Sequence, residues 1–180
     1  MAIRVLVGLG NPGREYAFTR HNMGFLVIDA LVRECKGRFV RESQFEARVA
    51  HVVIHDMPID VVEPHTYMNL SGRAVAKFLE YHKMTLEEIL VVVDDMALPL
   101  GEMKLDRMGG ARGHNGLKSI RDTFNSQNFA RLRVGIGDGD DTKTDHVLGG
   151  FTEEEMLLLP GIITEAKEMI KKFIDTENRK

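Results

Sequence analysis

The run Ile89-Leu90-Val91-Val92-Val93 is apolar without a break and ends in two adjacent carboxylates, Asp94 and Asp95. A strand with no polar alternation reads as a central one, covered on both faces, and so demands a layered α/β architecture. The run is far too short to span a membrane. A second buried strand is expected at residues 3–7, running directly into glycines, which leaves no room for the apolar stretch of a signal peptide.

The other segments supply the layers. Phe25, Ile28, Leu31 and Val32 recur at helical spacing and predict a helix over residues 22–35. Residues 47–54 and 59–63 read as a strand pair around His55-Asp56-Met57-Pro58. Ser71 is expected to cap a helix through residue 82. Thr85 with Glu88, and Thr152 with Glu155, form capping-box patterns. A strand at 102–107, a helix from His114 or Asn115 to residue 124, a strand at 131–136 and an amphipathic helix along Ile162, Ala166, Ile170 and Ile174 follow. The expectation is a single α/β domain over residues 1–180, with a mixed twisted sheet and helices on both faces. In such sheets sites gather beyond the carboxyl ends of strands, and Asn11, Asp94 and Asn115 all fall after strands or before helices.

Composition narrows the function. The 180 residues suit one domain, and the single cysteine, Cys35, builds neither a disulfide framework nor a zinc site alone, which points to a reducing cytoplasm. The net charge is −3, yet residues 101–133 hold Lys104, Arg107, Arg112, Lys118, Arg121, Arg131 and Arg133 against Glu102, Asp106 and Asp122, a local excess of +4. A basic patch on an acidic body suits a protein that meets a polyanion at one place.

Gly8-Leu9-Gly10-Asn11-Pro12-Gly13 matches the G-x-G-x-x-G pattern of dinucleotide sites. Such sites need a helix to open at once on the pyrophosphate, whereas Pro12 and the stripe-free stretch 14–20 read as loop. The better reading is a shaped loop presenting Asn11, whose amide both donates and accepts and so can read a peptide or ester carbonyl. His21 follows it. A lone histidine at a helix entrance is often only a packing residue, but Asp94 at a strand end can orient an imidazole and stabilise its charged form; Asp95 is the alternative, pointing to the opposite side. Asn69 is either a turn residue or a group that polarises a carbonyl. The stretch Gly109-Gly110-Ala111-Arg112-Gly113-His114-Asn115-Gly116 is either a flexible lead-in or a source of backbone N–H groups for phosphate. No G-x-S-x-G elbow occurs, and His51 with His55 lacks the companions of a metal site.

These residues carry a family resemblance. Val7-Gly8-Leu9-Gly10-Asn11-Pro12-Gly13 with Tyr16 and Thr19-Arg20-His21-Asn22 resembles the opening signature of bacterial peptidyl-tRNA hydrolases. Tyr67-Met68-Asn69-Leu70-Ser71-Gly72, Asp94 with Leu98-Pro99-Leu100-Gly101, Gly113-His114-Asn115-Gly116-Leu117-Lys118, Arg131-Leu132-Arg133-Val134-Gly135 and Val147-Leu148-Gly149 are similar to its later blocks, in order. The resemblance implies a cytoplasmic monomer that needs neither metal nor organic cofactor and has no membrane partner. It implies hydrolysis of the ester of peptidyl-tRNA released prematurely from ribosomes. His21 would be the general base and Asp94 would hold its basic tautomer. Asn69 and Asn115 would position substrate and water, and Asn11 would distinguish a blocked peptide from a free amino group. Tyr16, Tyr67, Met68 and His114 would line the substrate's path. The basic excess of residues 101–133, rather than the resemblance, leads to the expectation that Lys104, Arg107, Arg112 and Arg133 contact tRNA. A catalytically idle RNA-binding relative of the same fold is the alternative; a nucleotide-dependent oxidoreductase is the rival that the loop after Gly10 disfavours. Arg112 departs from the family's usual glycine, Asp106 stands where a basic residue is common, and the C-terminal tail is short for the family.

Overall fold

In the computed structural model, which describes residues 1–139 and 142–180, the apolar run is the central strand that its composition demands. The chain forms β1 (Val5–Gly8), α1 (Met23–Glu34), β2 (Val40–Glu42), β3 (Ala47–Ile54) and β4 (Met57–Pro64). It continues through α2 (Ser71–His82), β5 (Ile89–Asp95), β6 (Met103–Asp106), α3 (Asn115–Phe124), β7 (Ala130–Gly135), α4 (Lys143–Leu148) and α5 (Glu153–Asn178). The seven strands lie in the order β2-β3-β4-β1-β5-β7-β6. The middle of the sheet is parallel, with β1 between β4 and β5 and β7 beyond β5. Its edges are antiparallel, through the β2-β3-β4 meander and β6 on β7.

Strand β5 shows why both faces must be covered. Leu90 and Val92 pack with α1 and α5, through Ile28, Leu31, Ala166 and Ile170. Ile89, Val91 and Val93 point the other way and pack with α2 and α3, through Val75, Phe78, Leu117 and Ile120. Among the described residues, no helix is long and apolar enough to cross a membrane.

Gly24 decides how closely α1 approaches the site. A Cβ there would lie 2.4 Å from the Val92 carbonyl oxygen and 2.6 Å from that of Leu9, so only glycine lets the first turn of α1 sit on the ends of β1 and β5. That close approach brings the turn Arg20–Asn22 to the carboxyl end of β5.

Several sequence expectations need correction. Ser71 is the first residue of α2 rather than its cap; a short turn, Met68–Leu70, feeds straight into the helix, and the Ser71 hydroxyl donates to the Met68 carbonyl at 2.8 Å. The β3–β4 turn is two residues long, with His55 and Asp56 both at positive φ, so β4 begins at Met57. Strand β2 and helix α4 carry no periodic signal in the sequence, because three and six residues are too few to show a period. The loop after Gly10, by contrast, agrees with the sequence reading and does not open into a helix: it runs through the turns Arg14–Tyr16 and Arg20–Asn22 before α1 starts.

Candidate active site

A cleft of about 500 Å³ opens at the carboxyl ends of β1 and β5. Its floor holds His21, Asp94 and His114, and Asn11, Met68 and Asn69 form one wall. Arg112 and Asn115, both exposed, lie at the mouth, and Val147 and Leu148 of α4 also line the cleft.

Asp94 is the hub. Its carboxylate lies 2.9 and 3.0 Å from His21 Nδ1 and 2.9 Å from His114 Nε2. Burial alone would raise its pKa, but the imidazoles of His114 and His21 outweigh this and hold it well below the usual carboxylate range. An ionised carboxylate only accepts, so both ring nitrogens facing it carry hydrogen. His21 therefore keeps its lone pair on Nε2, which has no partner among the described residues. That is the arrangement a general base needs.

His114 has a second duty. Its Nδ1 accepts from the backbone N–H of Gly116 and Leu117, capping α3, which independently places its hydrogen on Nε2. The ring of His114 leans on that of His21, with centroids 4.9 Å apart. Among the described residues this is the one trio whose ligand-type atoms lie close enough for a metal, within 4.8 Å of one another. Those atoms already engage one another, since two N–H groups point at one carboxylate; an ion would have to displace both hydrogens.

Asn11 is buried and held from two sides. Its backbone N–H donates to Asn22 Oδ1 at 2.8 Å, and its carbonyl accepts from Asn22 Nδ2 at 3.0 Å. Its own Oδ1 accepts the Met68 N–H at 2.8 Å. The Asn11 Nδ2 has no partner among the described residues and borders the cleft. Asn69 and Asn115 are exposed at the cleft with free amides, Tyr67 is exposed beside them, and Met68 is buried beneath. Asp95 points away from the imidazoles: it accepts from Ala97 N–H at 2.8 Å and from Arg133 Nη1 at 2.5 Å.

The remaining expected residues separate. Tyr16 sits half-buried in the turn Arg14–Tyr16 and does not line the cleft. Arg133 borders the cleft, yet it is 3% exposed and its guanidinium is held by Asp95 and, at 2.8 Å, by Asp106. It is an internal strut, which corrects the expectation of a solvent-facing phosphate contact. Asp106, the departure from a basic residue, has this pairing as its structural consequence. Arg131 is likewise buried, donating to the carbonyls of Gly110, Gln127 and Phe129, and burial lowers its pKa to about 10. Arg107 pairs with Glu177. The +4 excess of residues 101–133 is thus not a +4 face; Lys104, Arg112 and Lys118 are the exposed cations without an acidic partner there among the described residues. Arg112 has φ of 50°, a left-handed conformation that glycine adopts more easily, and it lies at the cleft mouth.

Two groups were not legible as site residues. Asn22 is the clasp on Asn11. Arg20 ties the cleft's α4 side to the His21 turn, donating to the His146 carbonyl at 3.2 Å and to Glu155 at 2.7 Å. The strict Arg20-His21-Asn22 adjacency was the available signal.

The family model described as peptidyl-tRNA hydrolase matches residues 5–180. The chain is 43% identical over 171 residues to the peptidyl-tRNA hydrolase of Parabacteroides distasonis, covering 94% of this chain and 90% of that one. It is 40% identical over 172 residues to the peptidyl-tRNA hydrolase of Desulforamulus reducens, covering 96% and 83%. The crystal structure of peptidyl-tRNA hydrolase from Acinetobacter baumannii is similar with a TM-score of 0.91 at 35% identity, covering 97% of this chain and 89% of that one. A purine nucleoside phosphorylase from Toxoplasma gondii, at TM-score 0.56 and 10% identity, shares the fold alone. On sequence along nearly its whole length and on structure alike, the chain belongs to the bacterial-type peptidyl-tRNA hydrolase family.

Proposed function

We propose that this protein hydrolyses the ester joining a peptide to the 3′ end of tRNA, acting as a cytoplasmic monomer on peptidyl-tRNA that has left the ribosome early. The observation that carries the reading is the His21–Asp94 pair, with Nε2 of the imidazole left open to a cleft lined by amides.

His21 Nε2 takes a proton from a water molecule as its oxygen bonds to the ester carbonyl carbon. Asp94 stabilises the imidazolium that results. The Nδ2 groups of Asn11 and Asn69 are the donors placed to bind the carbonyl region of the substrate, and such donors contribute on the order of 10²–10³-fold each. The tetrahedral adduct then collapses: the C–O bond to the ribose breaks, and the departing oxygen takes the proton from imidazolium. The products are a free carboxylic acid and a tRNA hydroxyl, so the balance is one water consumed. A positioned base contributes about 10²–10⁴-fold. Asn115 holds water or the ribose at the mouth, and Tyr67 offers a face for the terminal base. Lys104 and Arg112, exposed and without an acidic partner among the described residues, are the cations assigned to the tRNA body.

The test is release of the acyl group from N-acetyl-aminoacyl-tRNA by the purified protein. Release that is lost in His21→Ala supports the reading; no release, or release that survives the substitution, overturns it.

A further inference from the structure

Asn22 occupies the N-cap position of α1, where an asparagine side chain ordinarily bonds the helix's first N–H groups, yet it makes no such bond. Its amide turns instead to the main chain of Asn11, accepting one N–H and donating to one carbonyl. The side chain is almost wholly buried, at 1% exposure, so both bonds are made away from water.

The clasp has a directional consequence. With its backbone pinned, Asn11 reaches across to the Met68 N–H with Oδ1, and this bond leaves Nδ2 as the atom presented to the cleft. A relay of side-chain and backbone bonds therefore joins the turn bearing His21, the loop bearing Asn11 and the turn Met68–Leu70 bearing Asn69. Without the Asn22 donor, the Asn11 carbonyl is left buried and unpaired, and the loop has to move to satisfy it.

We infer that Asn22 is a positioning residue that sets which way the Asn11 amide faces, so that preference for N-blocked over free aminoacyl-tRNA depends on Asn22 through Asn11. The inference rests on the reading of Asn11 as the group that meets the blocked end of the substrate.

Asn22→Asp is the sharpest probe, because it keeps size and the acceptor for the Asn11 N–H but sets a carboxylate oxygen against the Asn11 carbonyl. The readout is the ratio of kcat/KM for N-acetyl-aminoacyl-tRNA to that for free aminoacyl-tRNA, measured in wild type, N22D, N11A and the double variant. The ratio is expected to fall about ten- to a hundredfold in N22D, with almost no further fall when N22D is added to N11A. A role in folding alone lowers the melting temperature and the active fraction, but leaves that ratio unmoved. If N22D does not fold, N22S, which cannot make the two-point pairing, is measured in the same way. A ratio unchanged in the Asn22 variant while N11A collapses it leaves the Asn11 assignment standing and overturns the clasp's role, as do equal losses in both backgrounds. A ratio unchanged in N11A itself removes the Asn11 assignment and the inference with it.

Discussion

His114 donates its Nε2–H to Asp94 at 2.9 Å, on the same carboxylate that receives the Nδ1–H of His21. One carboxylate thus serves two imidazoles, of which only His21 keeps a ring nitrogen open to the cleft. The second imidazole fixes Asp94 in space by way of α3, whose first N–H groups it caps. His114→Asn retains a capping side chain but has no atom where Nε2 lies. We expect its helix content to match wild type while kcat falls by about ten- to a hundredfold, the value of one charge-assisted bond. His114→Ala loses the cap as well, and its melting temperature should fall alongside kcat. Circular dichroism with steady-state kinetics separates the two.

Asp94→Asn should lower kcat by about 10⁴-fold, as loss of an orienting carboxylate does in a hydrolase triad, with little effect on KM. Asp95→Asn is the matched control. It loosens Arg133 and the bond to the Ala97 N–H, so its effect should appear in thermal stability rather than turnover. A larger loss of kcat in Asp95→Asn than in Asp94→Asn would reverse the assignment.

His21→Ala should abolish turnover, a fall of at least about 10²-fold, without unfolding the protein, because the ring lines a cleft rather than filling the core. Acyl-tRNA cleavage measures the first outcome and circular dichroism the second.

Lys104→Ala and Arg112→Ala should raise KM for full-length tRNA substrates and leave kcat nearly unchanged. Each lost phosphate contact should reduce the log–log salt slope by roughly 0.7–0.9. Arg133→Gln should behave differently, because it strands the buried Asp95 beside Asp106: its melting temperature should fall. Kinetics over a range of salt, with melting curves, distinguishes the surface cations from the internal one.

Asp29 supplies a prediction about pH. It borders a second cavity of about 300 Å³ beside the Asn11 loop, together with Glu63 and Arg48. Burial and the Glu63 carboxylate push Asp29 up from 3.8 to about 7, against the pull of Arg48 and Arg33. A carboxyl raised in the folded state favours folding only while protonated, so its contribution is present below 3.8 and is lost as pH rises through about 7. Asn at position 29 removes that dependence. The melting temperature of Asp29→Asn should gain on wild type as pH rises between those limits and then stay level; equal slopes for the two proteins would refute this.

How much of this was legible varies with the range of the interaction. Strand β5 and helices α2 and α3 announce themselves in local pattern, since burial of one stripe or of both faces dictates residue type every few positions. His21 and Asp94 are legible as candidates because strand ends and helix entrances are where such sheets place chemistry, and the structure brings the two together. The clasp of Asn22 on Asn11 has no such pattern: it pairs a side chain with a backbone eleven residues away, and any asparagine at a helix start looks like a cap. Arg131 and Arg133 misled for the converse reason. Alternating charge on a strand resembles a solvated face, and only the tertiary structure shows that Asp95, Asp106 and a ring of carbonyls neutralise them inside.

The two carboxylates that end β5 also solve a problem of alignment. From Ile89 to Val93 the strand is greasy on both sides, so sliding it by one residue past β1 or β7 would trade one set of branched apolar side chains for another at little cost. What such a slip cannot tolerate is the exchange of Asp94 for Asp95, because one faces two N–H donors and the other an arginine on the opposite side. The polar end of the strand acts as a ratchet pawl for its apolar length. The oxygens that serve the imidazoles thereby hold β5 in register, and a substitution there to improve packing would put at risk the alignment of the sheet's central strand.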